Sequence, residues 1–248
     1  MIDFLGIGAQ KAATTWLYTH LELHPEIRFP GGKEIHFWDL HRERGVAWWL
    51  NIFSQEGNWK QGEITPAYAL LEESAIREIR AIAPEVRMVY SIRNPIARAW
   101  SAALMALERA EMTFDEASDL WFIDHFKSAG SRQRGDYAAC LRRWRSVFPE
   151  ERVHLVFVDD IVSNPCAVLL DIANHLGIDP AFYSRTEPTK LSTTVFPGPE
   201  YDVRPPLLDF LRTLYCRQLE DFGKEVQRDL KTWLEWDGRK LPITVSYE

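Results

Sequence analysis

Lys11 stands in the run Gly6-Ile7-Gly8-Ala9-Gln10-Lys11-Ala12-Ala13-Thr14-Thr15-Trp16-Leu17. An apolar stretch passes there into small residues, one cation and two hydroxyls. That order suits anion binding, because backbone N–H groups at a helix N-terminus lack partners within the helix and point at an incoming negative charge. Small side chains at Ala12 and Ala13 let a phosphate approach the backbone. Lys11 adds a point charge, and Thr14 and Thr15 add hydroxyl donors at the same end. The run differs from the standard phosphate loop, in which glycine precedes the lysine and Ser/Thr follows it directly. Taken alone, it reads equally well as an ordinary helix start after a strand, with an incidental lysine.

A second anion site is expected at Val86-Arg87-Met88-Val89-Tyr90-Ser91-Ile92-Arg93-Asn94-Pro95. Asn94 suits a helix N-cap and Pro95 the first helical position. Arg93 then lies at the C-terminal end of a strand, where open α/β sheets bind ligands. Ser101 follows about two turns into the next helix. Alone, this pattern describes a well-capped helix beside a solvated arginine. Two such sites at the ends of two parallel strands can instead address two separated phosphates of one ligand.

Proton-transfer candidates fall in Lys33-Glu34-Ile35-His36-Phe37-Trp38. Read as an extended segment, it points Glu34, His36 and Trp38 one way and Lys33, Ile35 and Phe37 the other. Glu34 and His36 then share a cleft, and either can serve as a base. A carboxylate working near neutrality needs apolar surroundings to raise its pKa, and Phe37 and Trp38 are the expected source. The bland alternatives are a solvated Lys33–Glu34 pair and a structural histidine.

The elements that must position these residues follow from apolar periodicity. Strands are expected at Phe4 to Gly8, Gly62 to Ile64, Val86 to Ile92 and Val153 to Val158. Helical patterns cover Thr14 to Leu23, Ser74 to Ala83, Ile96 to Arg109 and Tyr137 to Phe148. Thr113-Phe114-Asp115-Glu116 reads as a capping box opening a further helix toward Phe126. The part from Leu207 to Trp236 is mainly helical in pattern, after an irregular segment marked by Pro197-Gly198-Pro199 and Pro205-Pro206. Alternating strands and helices imply an α/β fold: an open, mainly parallel central sheet flanked by helices, with a helical C-terminal part.

The chain has 248 residues, 46% hydrophobic and 26% charged, which is ordinary for one α/β domain spanning residues 1–248. A formal net charge of −7 argues against a general nucleic-acid binder. Cys140, Cys166 and Cys216 are widely spaced and form no metal-ligand pattern. They suggest a reducing compartment, and with no signal-like or membrane-spanning apolar run the expected location is cytoplasmic.

With both anion sites in place, the sequence resembles the sulfotransferases that use 3′-phosphoadenosine 5′-phosphosulfate (PAPS), in the branch that includes the heparan sulfate sulfotransferases and many bacterial enzymes. Further matches lie at Lys33-Glu34-Ile35-His36-Phe37-Trp38, at Glu63-Ile64-Thr65-Pro66-Ala67-Tyr68 and at Arg134-Gly135-Asp136-Tyr137, covering roughly residues 4 to 165 in order. The resemblance implies a P-loop-like sulfotransferase fold and PAPS as donor, with 3′,5′-adenosine bisphosphate as product and no metal. It places Lys11, Ala12, Ala13, Thr14, Thr15 and Trp16 at the 5′-phosphosulfate, Arg93 and Ser101 at the 3′-phosphate, and Tyr137 in the nucleotide site. Lys190 is the one counterpart of a basic C-terminal nucleotide loop. It selects Glu34 as general base, with His36 as the alternative. The implied acceptor is a hydroxyl or amine of a small molecule or carbohydrate, with Trp38, Trp48 and Trp49 as candidate walls. Where Ala13 stands, the family usually carries glycine. Two other readings remain open: an ATP-dependent small-molecule kinase on a variant phosphate loop, and a non-catalytic nucleotide-binding domain.

Overall fold

Five parallel strands carry the molecule, and the computed structural model describes residues 1–187, 191 and 201–239. The first half runs β1 (Phe4–Gly8), α1 (Thr14–Glu22), β2 (Ile27–Arg28), α2 (Val46–Ile52), β3 (Lys60–Ile64), α3 (Glu73–Ile82), β4 (Arg87–Ile92) and α4 (Pro95–Arg109). It continues with α5 (Asp119–Lys127), α6 (Ala129–Gly135), α7 (Tyr137–Arg145), β5 (Val153–Phe157), α8 (Val158–Ser163), α9 (Pro165–Leu176), α10 (Ala181–Ser184) and α11 (Pro205–Glu225). The strand order is β2-β3-β1-β4-β5. Phe4 pairs with Gly62 on one side and Arg87 on the other, and Met88 pairs with Val153.

The strands are apolar on both faces because helices cover both. Phe4, Ile64, Val89 and Val156 pack with Trp16, Leu17 and Leu21 of α1 and with Leu169 and Ile172 of α9. Their strand neighbours Leu5, Met88, Tyr90 and Phe157 face the other way, against α3, α4, α7 and α11. This alternation is the period of two that a pleated strand imposes. Its consequence for the site is topological. After β1 the chain enters a helix on one face, and after the adjacent β4 it enters a helix on the other. The two connections diverge and leave a crevice at the strand ends, which is the switch point where such sheets take ligands.

The open, parallel, helix-flanked sheet agrees with the sequence reading. Asn94 caps α4, accepting from the Ile96 N–H at 2.9 Å, with Pro95 in the first helical position. Three expectations need correction. Thr113 to Glu116 does not open a helix. Glu116 bonds back to the Thr113 N–H and hydroxyl at 2.7 Å each, while Arg204 donates to the carbonyls of Phe114 and Ala117 at 2.9 Å. Those carbonyls are taken by a side chain, so α5 starts at Asp119, under a cap from Ser118. Pro205 and Pro206 are not an irregular segment but the first turn of α11, where a missing N–H costs nothing. Strand β5 stops at Phe157, and Val158 already belongs to α8.

Candidate active site

The anion loop leaves β1 through Gly8, whose φ of 142° favours glycine and where an added Cβ would stand 2.9 Å from the Pro66 carbonyl. It is then fastened at three points to β4 and to Arg93, which directly follows that strand. The Ala9 N–H donates to the Ser91 carbonyl at 2.7 Å, the Ser91 hydroxyl donates to the Ala12 carbonyl, and Arg93 Nη1 donates to the Lys11 carbonyl at 3.1 Å. Lys11 and Ala13 both take the left-handed conformation, with φ of 66° and 60°. That conformation is unfavourable for L-residues, and here it turns the loop so that Ala13 becomes the N-cap of α1. No side chain caps this helix, and among the described residues no backbone carbonyl accepts from the N–H groups of Thr14, Thr15 or Trp16. The helix end presents free donors, the arrangement that suits an anion.

The charges around the loop fit the same purpose. Lys11 Nζ has no hydrogen-bond partner among the described residues. Burial pulls its ammonium below the usual lysine range, and Arg93, Arg109 and Lys33 push it further down against the opposing charge of Glu108. Arg93, half-buried, has its Nε enclosed and without a partner. Burial draws its guanidinium down to about 10. Cations that desolvate and repel one another in this way are poised for a polyanion. Ser101 sits half-buried on α4, beyond Arg93.

The segment 33–38 does not run extended as expected. Glu34 and His36 take φ of 64° and 57°, and a turn begins after His36. Glu34 is held there because its N–H donates to the Ile64 carbonyl at 3.0 Å, at the end of β3. Phe37 and Trp38 are buried in the core, edge to face at 5.1 Å, and provide no apolar pocket for Glu34. The Glu34 side chain is 41% exposed and bonded to Lys33 Nζ, with Oε2 3.5 Å from His36 Nε2. Burial by itself raises its pKa, but the bond and charge of Lys33 and the charge of His36 outweigh that, so Glu34 titrates below the usual carboxylate range. The expected upward shift is therefore reversed. Glu34 is ionised at neutral pH and ready to accept a proton. His36 Nδ1 bonds Asp39 Oδ2 at 2.9 Å, so this imidazole stands between two carboxylates.

Beneath this turn lies Glu63, 0% exposed. It accepts from Trp49 Nε1 at 2.7 Å, from the Thr65 hydroxyl at 2.7 Å and from the Tyr68 hydroxyl at 3.1 Å. The Tyr68 oxygen in turn accepts from the Trp38 N–H at 3.3 Å. Burial lifts the Glu63 carboxyl to about 7 despite these donors. Glu63 thus ties β3 to the turn that carries His36 and Asp39.

The other expected site residues are placed as follows. Tyr137 is buried, and its hydroxyl donates to the Arg93 carbonyl at 2.7 Å, so it steadies the strand end. Trp16 is a core residue whose Nε1 donates to the Leu191 carbonyl at 3.0 Å. Lys190 lies outside the described residues. Trp38 and Trp49 pack in the core at 5.2 Å, while Trp48, half-buried, lies under Arg44 at 4.7 Å. Sequence reasoning missed Lys33 and Ser91 as site residues, although each lies inside a segment already singled out, and Asp39, which directly follows one. It also missed Arg109, which shares the electrostatic surroundings of Lys11 and Arg134. Lys33 links the two halves, bonding Glu34 while repelling Lys11.

Comparison with known proteins gives the family and the fold. Residues 2–193 match the model of the sulfotransferase domain. The human heparan sulfate glucosamine 3-O-sulfotransferase 6 is 30% identical over 177 residues, covering 69% of this chain and 51% of that protein. The human bifunctional heparan sulfate N-deacetylase/N-sulfotransferase 2 is 25% identical over 205 residues, covering 74% of this chain and 23% of that one. The chain thus spans about half the length, or less, of these curated relatives. Among solved structures, a sulfotransferase from Alicyclobacillus acidocaldarius superposes with a TM-score of 0.73 at 21% identity, covering 94% of this chain and 98% of that one. Mouse sulfotransferase SULT7A1 complexed with PAP superposes with a TM-score of 0.59 at 14% identity, covering 91% and 87%.

Proposed function

Since the chain belongs to the sulfotransferase family, we propose that it transfers a sulfuryl group from PAPS to a hydroxyl or amine of an acceptor, with Glu34 as general base. One observation carries this reading. Hydrogen-bond donors without acceptors among the described residues stand at the ends of two adjacent strands: the first turn of α1 with Lys11 Nζ, and Arg93 Nε. That donor set fits a ligand with two separated phosphate groups. When bound, PAPS supplies the activated sulfuryl group, whose bond to the nucleotide phosphate oxygen breaks as the bond to the acceptor forms.

The residues then divide the work. The N–H groups and hydroxyls of Thr14 and Thr15 hold the 5′-phosphosulfate, and Lys11 offsets the negative charge that grows on the leaving oxygen. Arg93 and Ser101 hold the 3′-phosphate and fix the donor's register. Glu34 takes the proton from the acceptor, and Lys33 keeps that carboxylate ionised. His36, bonded to Asp39, sets the far edge of the acceptor site. A carbohydrate acceptor is favoured by the names of the relatives, and one bearing acidic groups by Lys33, bonded to Glu34, and by Arg134, whose field reaches Asp39. The three cysteines are free thiols, in keeping with a reducing, cytoplasmic setting.

The test pairs titration of 3′,5′-adenosine bisphosphate with sulfate-transfer kinetics. Glu34→Gln is expected to keep bisphosphate affinity and lose roughly 10²–10⁴ in turnover, the range for a positioned base. Lys11→Ala is expected to lose both. Wild-type turnover in Glu34→Gln together with an inactive His36→Ala would move the base to His36. Tighter binding of magnesium-ATP than of the bisphosphate would overturn the donor assignment in favour of a kinase.

A further inference from the structure

Arg98 is the buried charge that the proposed reaction leaves unused. It is 0% exposed and lies in the first turn of α4, its N–H donating to the Asn94 carbonyl at 2.9 Å. Among the described residues only Nη2 has partners, the Ser131 carbonyl at 2.9 Å and the Ser131 hydroxyl at 3.5 Å. Nε and Nη1 are buried and bond none of the described residues. Among the described residues no carboxylate forms an ion pair with it. A guanidinium taken out of water without a counter-ion is costly. Its place adds a second penalty, since the N-terminal turn of a helix already carries partial positive charge. A third comes from its neighbours, because the guanidinium groups of Arg93 and Arg134 lie within its field, while burial keeps the nearby His125 from charging. The other groups facing it are the neutral phenols of Tyr90 and Tyr137.

One event relieves all three penalties: arrival of negative charge at the open end of α4, where Arg93 stands. We propose that Arg98 is an affinity-setting residue that acts through Arg93 without touching the ligand, a buried cation left uncompensated until the phosphate at Arg93 arrives. The proposal rests on the donor reading above and adds to it a residue outside the ligand's contacts.

The test compares wild type, Arg98→Met and Arg98→Lys by thermal unfolding with and without 3′,5′-adenosine bisphosphate, and by titration with the bisphosphate and with adenosine 5′-phosphosulfate, which lacks the 3′-phosphate. Arg98→Met is expected to raise the ligand-free Tm by about 2–4 °C, since an apolar side chain of similar length replaces an unpaired charge. The same variant is expected to bind the bisphosphate about tenfold more weakly, the scale of one charge–charge interaction in partly screened surroundings, with a smaller loss for adenosine 5′-phosphosulfate. Arg98→Lys keeps the charge and is expected to keep most of the affinity. A Met variant that unfolds more easily, or that binds the bisphosphate as wild type does, overturns the proposal and leaves Arg98 as a structural donor to Ser131. Wild-type protein that ignores the bisphosphate overturns the donor reading and this inference with it.

Discussion

At Glu34 two opposing influences meet on one carboxylate. Burial favours the protonated acid, while Lys33 and His36 favour the anion and prevail. The outcome is a carboxylate ionised near neutrality, and in the proposed role of base its gain in availability is offset by a loss in basicity. The sign of the pH effect follows. Wild-type turnover should be insensitive to Glu34 titration above the ordinary carboxylate range and fall only in more acidic solution. In Lys33→Ala burial is unopposed by the ammonium, Glu34 rises, and the acid limb of the pH–rate profile should move upward. An unmoved limb would mean that a group other than Glu34 accepts the proton. Glu63 offers the contrasting case, a carboxylate with three donors that burial still lifts to about 7. Folding therefore binds a proton there, and the stability it contributes is present below about 4.5 and lost as pH rises through 7. Relative to Glu63→Gln, wild type should lose about 3 kcal/mol of unfolding free energy across that window, measured by urea denaturation at pH 5 and pH 8.

The anion loop shows what an element does with residues whose local preference disagrees with it. Lys11 and Ala13 are left-handed without being glycine, and three bonds to β4 and Arg93 hold them so. Ala13→Gly should remove the steric penalty at φ 60° and stabilise the fold by about 1 kcal/mol, allowing for glycine's looser unfolded chain. A lowered urea midpoint would contradict this. The place of the loop, the strands β1, β3, β4 and β5 and the start of α4 were legible in the sequence, because apolar runs and the Asn94-Pro95 pair announce their own conformations. The left-handed turns at Lys11 and Ala13 were not, since they are set by bonds from Ser91 and Arg93, far along the chain. The turn at 33–39 was not legible, since its shape is imposed from outside, by the Ile64 carbonyl on Glu34 and the Tyr68 hydroxyl on Trp38. Alternation alone therefore paired Glu34 with Trp38, when the turn sends Trp38 into the core. The capping pattern at Thr113 failed for a like reason, because Arg204, far along the chain, took the carbonyls the helix needed.

Across the whole molecule a formal charge of −7 surrounds a crevice that gathers Lys11, Lys33, Arg93 and Arg109. Such a local reversal draws a polyanion in by a field that salt screens, with a Debye length of about 10 Å at 0.1 M. Bisphosphate affinity should thus weaken steadily from low to high ionic strength, and a flat titration series would count against a charge-held ligand. A separate acid sensitivity lies away from the crevice, where His154 and His175 stack at 5.1 Å. Burial and the neighbouring charges of His154 and Arg87 hold His175 down to about 4. The folded form then binds fewer protons than the unfolded chain between about 4 and 6.5, so stability falls as pH drops through that range. His175→Gln should soften the fall in thermal unfolding measured at pH 4.5 against pH 7. The strand order has a last consequence, for amide exchange with heavy water. Because β1 lies inside the sheet with β3 and β4 on its flanks, its backbone protons are released only when the whole sheet comes apart. A ligand held at the ends of β1 and β4 should slow deuterium uptake in both strands by its full binding factor, as a clock set by global opening rather than by motion of the loop.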